Sequence, residues 1–236
     1  MLPERRPSVA ALIPVWNGAA FLAEAIESAL AEAPDEVVVI DDGSTDGSGA
    51  IAEGYGPRVR CLRQPNGGVA AARNAALNAS NSDLVAFLDA DDVWPRGRLA
   101  LLREALEQHP ECGIAQGRLR RLVGRAGTGT WALVDEAWPA PNISTALIRR
   151  ELFATVGVFD DHAEGGGDDV DWLLRARECG VREIRIDAVT LHYRRHDANM
   201  TNDVATDQAR LLRVLARSIA RRRAAARTPP ETREPS

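Results

Sequence analysis

Lysine is absent. All 29 basic residues in the 236-residue chain are arginine, so chemistry that needs a side-chain amine is excluded. Cysteine is scarce: Cys61, Cys112 and Cys179 are widely spaced and in no metal or redox pattern, which fits reduced thiols in a cytoplasmic protein. No apolar run approaches the ~20 residues of a membrane span. The opening MLPERRPS runs into a short apolar strand rather than the roughly 7–15-residue core of a signal peptide. A soluble, cytoplasmic chain is therefore expected, peripheral at most to the inner face of a membrane. Net charge is −5, so nothing favours nucleic acid as a partner. With 45% apolar and 27% charged residues, the composition is that of a globular domain able to bury a core.

What is present is an alternation. Val9 to Val15 (VAALIPV) and Val37 to Ile40 are short apolar runs of the kind buried in a parallel sheet. Val59 to Leu62 and Leu84 to Leu88 predict a third and a fourth strand. Between them, helices are expected with Asn17 as a cap and Phe21, Leu22, Ile26 and Leu30 on the apolar face, from Ile51, and along GVAAARNAALNA. Pro95 is placed to open another, running to about His109. Strand and helix alternating four times predict an α/β fold: a Rossmann-like, doubly wound, mostly parallel sheet with helices on both faces. Beyond residue 110 the pattern loosens. Irregular strands are expected around GRAGTG, a strand and short helix over 142–156, a helix over 169–179, strands over 184–193 and a last amphipathic helix over 203–223.

In such a sheet, ligands bind beyond the carboxyl ends of the strands. Each of the first four strands runs there into a chemically loaded stretch: Pro14-Val15-Trp16-Asn17, Asp41-Asp42-Gly43-Ser44, Gln64-Pro65-Asn66-Gly67-Gly68, and Asp89-Ala90-Asp91-Asp92. The last raises a physical question. Two bare carboxylates ~4 Å apart repel by about 4 kcal/mol at an effective dielectric of 20. Water or a cation must relieve that. The components suggest a nucleoside diphosphate. Trp16 offers a flat face to a base, Asp42 an acceptor for a base or ribose, and Arg73 a fork of donors. Asp89 and Asp91 offer hard oxygens to Mn2+ or Mg2+. Pro14, Asn17, Asn66, Gly68 and Asp92 are counted with the substrate-binding residues. Plain alternatives stand beside these readings. The Asp-Asp-Gly-Ser stretch also makes a turn, Trp16 also suits a core, and Arg73 also suits a solvated helix face.

With these residues placed, the chain resembles the family 2 glycosyltransferases of GT-A fold. The matching text is ALIPVWNG, VVVIDDGSTDGS, QPNGGVAAARNAAL and AFLDADDVW, over roughly Ser8 to Leu99. A looser match resumes at ISTALIRRELFATVGVFDD, GGGDDVDWLLRARECG and HYRRHDANMT. The resemblance implies inverting transfer of a sugar from a nucleotide-sugar donor, a UDP-sugar by default, to a hydroxyl acceptor. Asp91 would be the direct metal ligand, with Asp89 near the ribose or metal and His196 near the metal or diphosphate. The family's Glu-Asp pair falls on Asp168-Asp169, making Asp169 the catalytic base beside Asp168. Here the first member is Asp, which blurs which carboxylate acts. Trp172 is counted with the donor-binding residues. The preceding Gly165-Gly166-Gly167 suits closure over bound donor. Equally, Asp168, Asp169 and Asp171 suit a helix's first turn, where acids complement the dipole. His192 is expected to be structural.

The resulting layout is one domain over 1–226: a donor-binding half (8–99), an acceptor and catalytic half (100–202), a C-terminal helix (203–226), and a disordered tail (227–236). The stretch from Gly113 to Asn142, with Trp131 and Trp138, is expected to shape the acceptor side. Leu211, Leu212, Leu215 and Ile219 of the last helix, ahead of Arg221-Arg222-Arg223, are expected to pack on the domain, with contact to anionic lipid as the alternative. A nucleotidyltransferase would carry a Gly-rich, Lys-containing loop after the first strand, where this chain has PVWNGAAF. A dehydrogenase would carry Gly-x-Gly-x-x-Gly there. A non-catalytic nucleotide-sugar-binding module is the third possibility.

Overall fold

A computed structural model describes residues 5–124, 131–161, 167–196, 199 and 204–227. Strands β1 (Val9–Val15), β2 (Glu36–Asp41), β3 (Arg60–Arg63) and β4 (Leu84–Phe87) come from the first half. β5 (Ile114–Gly124), β6 (Trp131–Trp138), β7 (Ala146–Arg149) and β8 (Glu183–Arg195) follow. The helices are α1 (Leu22–Leu30), α2 (Ser48–Glu53), α3 (Val69–Ala79), α4 (Arg98–Gln108), α5 (Leu152–Val156), α6 (Asp168–Glu178) and α7 (Val204–Arg227). Among the described residues the strands form one sheet, ordered β3-β2-β1-β4-β7-β5-β6, with β8 along β5. β1 to β4, β5 and β8 all point one way; β6 and β7 run against them.

β1 lies at the centre because all seven of its residues can be buried. Its alternating side chains feed two cores. Val9, Ala11, Ile13 and Val15 pack with α1 and α4, whereas Ala10 and Leu12 pack with α3, α5 and α6. Each Leu or Ile so buried stabilises the fold by roughly 1.5–3 kcal/mol. Pro14 sits in this central strand without cost to the ladder. Val15 carbonyl accepts from Asp42 N–H on the β2 side, so Pro14's missing donor faces β4, whose pairing has ended at Leu12 and Phe87.

Three local expectations are corrected. Asn17 does not cap α1. It takes a left-handed conformation (φ 49°) and the helix starts at Leu22. Pro95 does not open α4, which begins at Arg98 after Gly97 (φ 81°). The Glu32 carboxylate sets that start by accepting from Gly97 N–H at 2.7 Å and Leu99 N–H at 2.8 Å. Finally, the expected packing face of α7 is exposed: Leu211 46%, Leu212 67%, Leu215 40% and Ile219 42%. Val214 and Ser218 are the buried positions instead.

Candidate active site

The loops after β1 and β2 are stitched together at the carboxyl edge of the sheet. Asn17 N–H donates to Ser44 Oγ (2.9 Å), and Asn17 Oδ1 accepts from Thr45 N–H (2.8 Å). Gly18 N–H reaches Ser48 Oγ (3.0 Å) and Ala19 N–H reaches Asp46 Oδ2 (2.9 Å). Asn17 thus positions a loop, and that work leaves Trp16 projecting with 60% of its surface exposed. An aromatic this open is not a core residue. Pro14, counted with the substrate-binding residues, is buried in β1.

Asp42 is 2% exposed. Its Oδ1 accepts from Gln64 Nε2 (2.8 Å) and Gly67 N–H (2.9 Å), and its Oδ2 from Gly68 N–H (2.9 Å). The carboxylate therefore folds the β3–α3 loop, and one lone pair on Oδ2 remains for anything else. Gly68 is the residue before α3 and has φ 87°, a conformation that glycine adopts without strain. Asn66, in the same loop, is exposed. Fixing this loop fixes the start of α3 and hence Arg73, one turn inside it.

Arg73 is the organising cation. It is 4% exposed, so it is not a surface charge. Nη1 donates to Asp168 Oδ2 and Nη2 to Asp89 Oδ1, both at 2.7 Å. Burial works against its charge, but Asp168, Asp89 and Asp169 outweigh that and hold it firmly protonated. Its Nε has no partner among the described residues. Two segments almost eighty residues apart in sequence are thereby locked together through one guanidinium.

α6 delivers the second acid group. Gly167 (φ 83°) turns the chain into the helix, and Asp168, Asp169 and Asp171 occupy its first turn. Asp171 is committed to structure, accepting from Arg175 Nε and Arg221 Nη1, each at 2.9 Å. Asp168 is 3% exposed and held by Arg73. Asp169, partly exposed, is the acid whose affinity for protons is poised. Burial, with Asp168 and Asp89 nearby, pushes it up to about 6 against the pull of Arg73. Gly165 and Gly166, read as a closing segment, lie outside the described residues.

The three clustered carboxylates after β4 are resolved by being sent three ways. Asp89 goes to Arg73. Asp91 Oδ2 lies 3.1 Å from His196 Nε2 and accepts from Asn199 Nδ2 at 3.3 Å. Asp92 turns inward. It is fully buried, accepts from Arg194 N–H (2.8 Å), and is pushed well above the usual carboxylate range by burial and by Asp91 and Asp89. Asp92 was expected to bind substrate; it instead pins β8 to the β4 loop. Trp172 is corrected likewise. It has no exposed surface, stacks on Phe153 at 4.5 Å, and donates from Nε1 to Gly157 carbonyl at 2.8 Å. Lying four residues after Asp168, it shares that residue's inward-facing side of α6.

His196 packs on Phe21 with ring centroids 4.3 Å apart. The Arg194 guanidinium lies 5.0 Å from the Phe21 ring and 4.5 Å from the Trp131 ring, and pairs with Glu24 at 2.6 Å. Trp131, on β6, thus closes over the same corner as His196. His192 is structural: its N–H and carbonyl bridge Val93, and burial, then Arg120, lower its proton affinity. Two residues went unread in the sequence, Asn199 and Arg194. Both lie in HYRRHDANMT, and the Asn199 N–H to His196 carbonyl turn that aims Asn199 at Asp91 shows only once folded.

Among the described residues no three His, Cys, Asp or Glu side chains converge as a metal-binding group. Asp91 and His196 nevertheless fit a divalent ion as one oxygen and one nitrogen donor 3.1 Å apart. Mn2+ and Mg2+ ordinarily take one or two carboxylates and leave the remaining positions to phosphate and water. Asp89 has one oxygen engaged by Arg73. By contrast, a cavity of about 600 Å3 at the opposite sheet edge carries Asp83, already bonded to Arg5 and Ser8.

A family model described as glycosyl transferase family 2 matches residues 10–163, well over half of the chain. This chain is a family 2 glycosyltransferase. An uncharacterised glycosyltransferase of Rickettsia typhi is 37% identical to it over 214 residues, covering 83% of this chain and 66% of the relative. The succinoglycan biosynthesis protein ExoU of Rhizobium meliloti is 48% identical over 101 residues, covering 40% of this chain and 29% of ExoU. A mannosyltransferase of Pyrobaculum calidifontis, solved with GDP-Man and Mn2+, superposes with TM-score 0.73 at 23% identity, covering 92% of this chain and 66% of that one. At that identity the likeness shows the fold, which is GT-A. This glycosyltransferase spans at most about two thirds of the length of these proteins.

Proposed function

We propose that this glycosyltransferase moves a sugar from a nucleoside diphosphate sugar to a hydroxyl acceptor with inversion, Asp169 acting as the base. The observation that carries this is the poise of Asp169. A carboxylate pushed up to about 6 is mostly ionised at neutral pH, yet basic enough to take a hydroxyl proton. Arg73 pairs directly with both Asp168 and Asp89 and so holds that acid group together beside Asp169. Trp16 stacks on the base. Asn66 and Gly68 border that slot, and Asp42 offers its remaining lone pair to a base or ribose. Asp91 and His196 would hold a divalent ion, Mn2+ or Mg2+, with Asp89 beside it. When bound, the ion neutralises charge on the departing diphosphate. Trp131 walls the acceptor side. The succinoglycan role of ExoU and the GDP-Man and Mn2+ of the archaeal neighbour support a donor of this class and an acceptor belonging to a cell-surface polysaccharide.

A thermal-shift panel of nucleotide sugars, headed by UDP-sugars, with and without Mn2+, tests the reading. One diphosphate nucleotide should stabilise the protein in a metal-dependent manner, and Asp91→Ala should abolish the metal dependence. Asp169→Asn should keep that binding while losing ~10²–10⁴-fold in turnover. Wild-type donor hydrolysis in Asp169→Asn, or an unchanged Mn2+ response in Asp91→Ala, overturns it.

A further inference from the structure

α7 is a 24-residue helix that docks on the domain by the wrong side for its apolar residues. At about 100° per residue, Leu211, Leu215 and Ile219 form a stripe with Leu212 beside it. Those four side chains face solvent, while Val214 and Ser218 face the domain. Polar contacts hold the helix there. Ser218 Oγ and Arg221 Nε both donate to the Glu178 carboxylate, Arg221 Nη1 donates to Asp171 at 2.9 Å, and Arg217 lies 3.5 Å from Asp160. The stripe is therefore not spare core surface. It is held outward by a specific set of ion pairs on the neighbouring face.

We propose that this stripe seats α7 on the surface of an anionic membrane. Charge names the occupant. α7 carries seven arginines and a single acid, Asp207. Arg213, Arg222 and Arg223 are exposed, and Arg222 and Arg223 follow the stripe at its end. Apolar residues flanked by arginine on an otherwise polar helix suit the boundary between headgroups and acyl chains. No helix among the described residues is long and apolar enough to cross a bilayer, so the contact lies along the surface. Two other occupants fit less well. The residues TPPETREPS that follow α7 contain no large apolar side chain. A second copy set against this face would bring the exposed arginines of two α7 helices together, and like charges so juxtaposed work against pairing. The placement also has a consequence. A Cβ on Gly167 would lie 3.0 Å from Val214 Cγ2 and 3.1 Å from Arg210 Cγ, so α7 abuts the residue just ahead of Asp168 and Asp169. A bilayer under α7 lies beside the candidate active site.

Co-sedimentation of the full chain with vesicles tests this. The protein should pellet with vesicles of phosphatidylcholine and phosphatidylglycerol in equal parts, stay in solution with phosphatidylcholine alone, and be released by high salt. The double variant Leu212→Glu/Leu215→Glu should lose binding at an unchanged melting temperature, because both side chains are exposed. Arg222→Gln/Arg223→Gln should weaken binding roughly 10- to 30-fold. The proposal fails if the wild type ignores anionic vesicles, or if both variants bind as it does. It also fails if sedimentation velocity shows a dimer that Leu212→Glu/Leu215→Glu dissociates and vesicles are not bound.

Discussion

Replacing Arg73 by methionine removes the one cation shared by three acids while keeping the length of the stem. Its loss strands Asp168, which is 3% exposed, and Asp89, each previously bonded at 2.7 Å. Breaking a buried pair on one side costs about 3–5 kcal/mol. Asp169 makes that cost depend on pH. In the native protein it sits at about 6 against an ordinary 3.8, a difference of roughly 3 kcal/mol between its protonation states. Because the folded value is the higher one, the stability it contributes is complete below about pH 4 and is lost as pH rises through 6. Arg73 opposes this rise. Removing an opposing charge at such range should move the ionisation of Asp169 about 1–3 pH units to the alkaline side. Urea denaturation of Arg73→Met should thus show a deficit of about 3–5 kcal/mol at pH 8, smaller by roughly 1–3 kcal/mol at pH 5. The acid limb of donor turnover should move the same way. Asp168→Asn, which removes a like charge, should move the limb toward acid. A deficit equal at the two pH values, with the limb still near pH 6, would refute the coupling on which the assignment of Asp169 rests.

Substitutions at Asp92, Trp172 and Trp16 separate structure from ligand contact. Asp92→Asn keeps the acceptor for Arg194 N–H and removes a buried acid. Because Asp92 is raised in the folded state, its stabilising share is lost as pH rises through that value, so the Asn variant should gain on the wild type toward alkaline pH. Asp92→Ala, which orphans Arg194 N–H, should cost about 1–3 kcal/mol; urea denaturation at pH 6 and pH 9 reads both. Trp172→Ala should cost about 3–5 kcal/mol through the cavity it leaves. Trp16→Ala should leave the melting temperature within about a degree or two and weaken nucleotide binding by roughly 1–3 kcal/mol, measured by calorimetry.

Much of the candidate site was readable because a parallel sheet puts the residues after each strand on one edge. Trp16, Asp42, Asp89 and Asp91 could be found by locating four apolar runs and looking just past them. The failures share a cause. Asp91 and Asp92 are neighbours in the chain, yet one meets His196 and the other is buried against β8. Asp169 and Trp172 share a helix, yet only Asp169 has a side that opens outward. Adjacent residues point in different directions, and which direction meets solvent depends on what packs there.

The order and length of apolar runs alone determined the α/β architecture, because period and burial are local properties of the chain. The acid motifs also determined the family resemblance, later matched by the family model. Tertiary structure decided which acids share a cation, because only folding brings Arg73 between Asp89 and Asp168. It decided too that α7 turns its leucines outward. Glu178 and Asp171 hold Ser218 and Arg221 against the domain on the neighbouring face, and no periodicity in α7 itself reports where those acids stand.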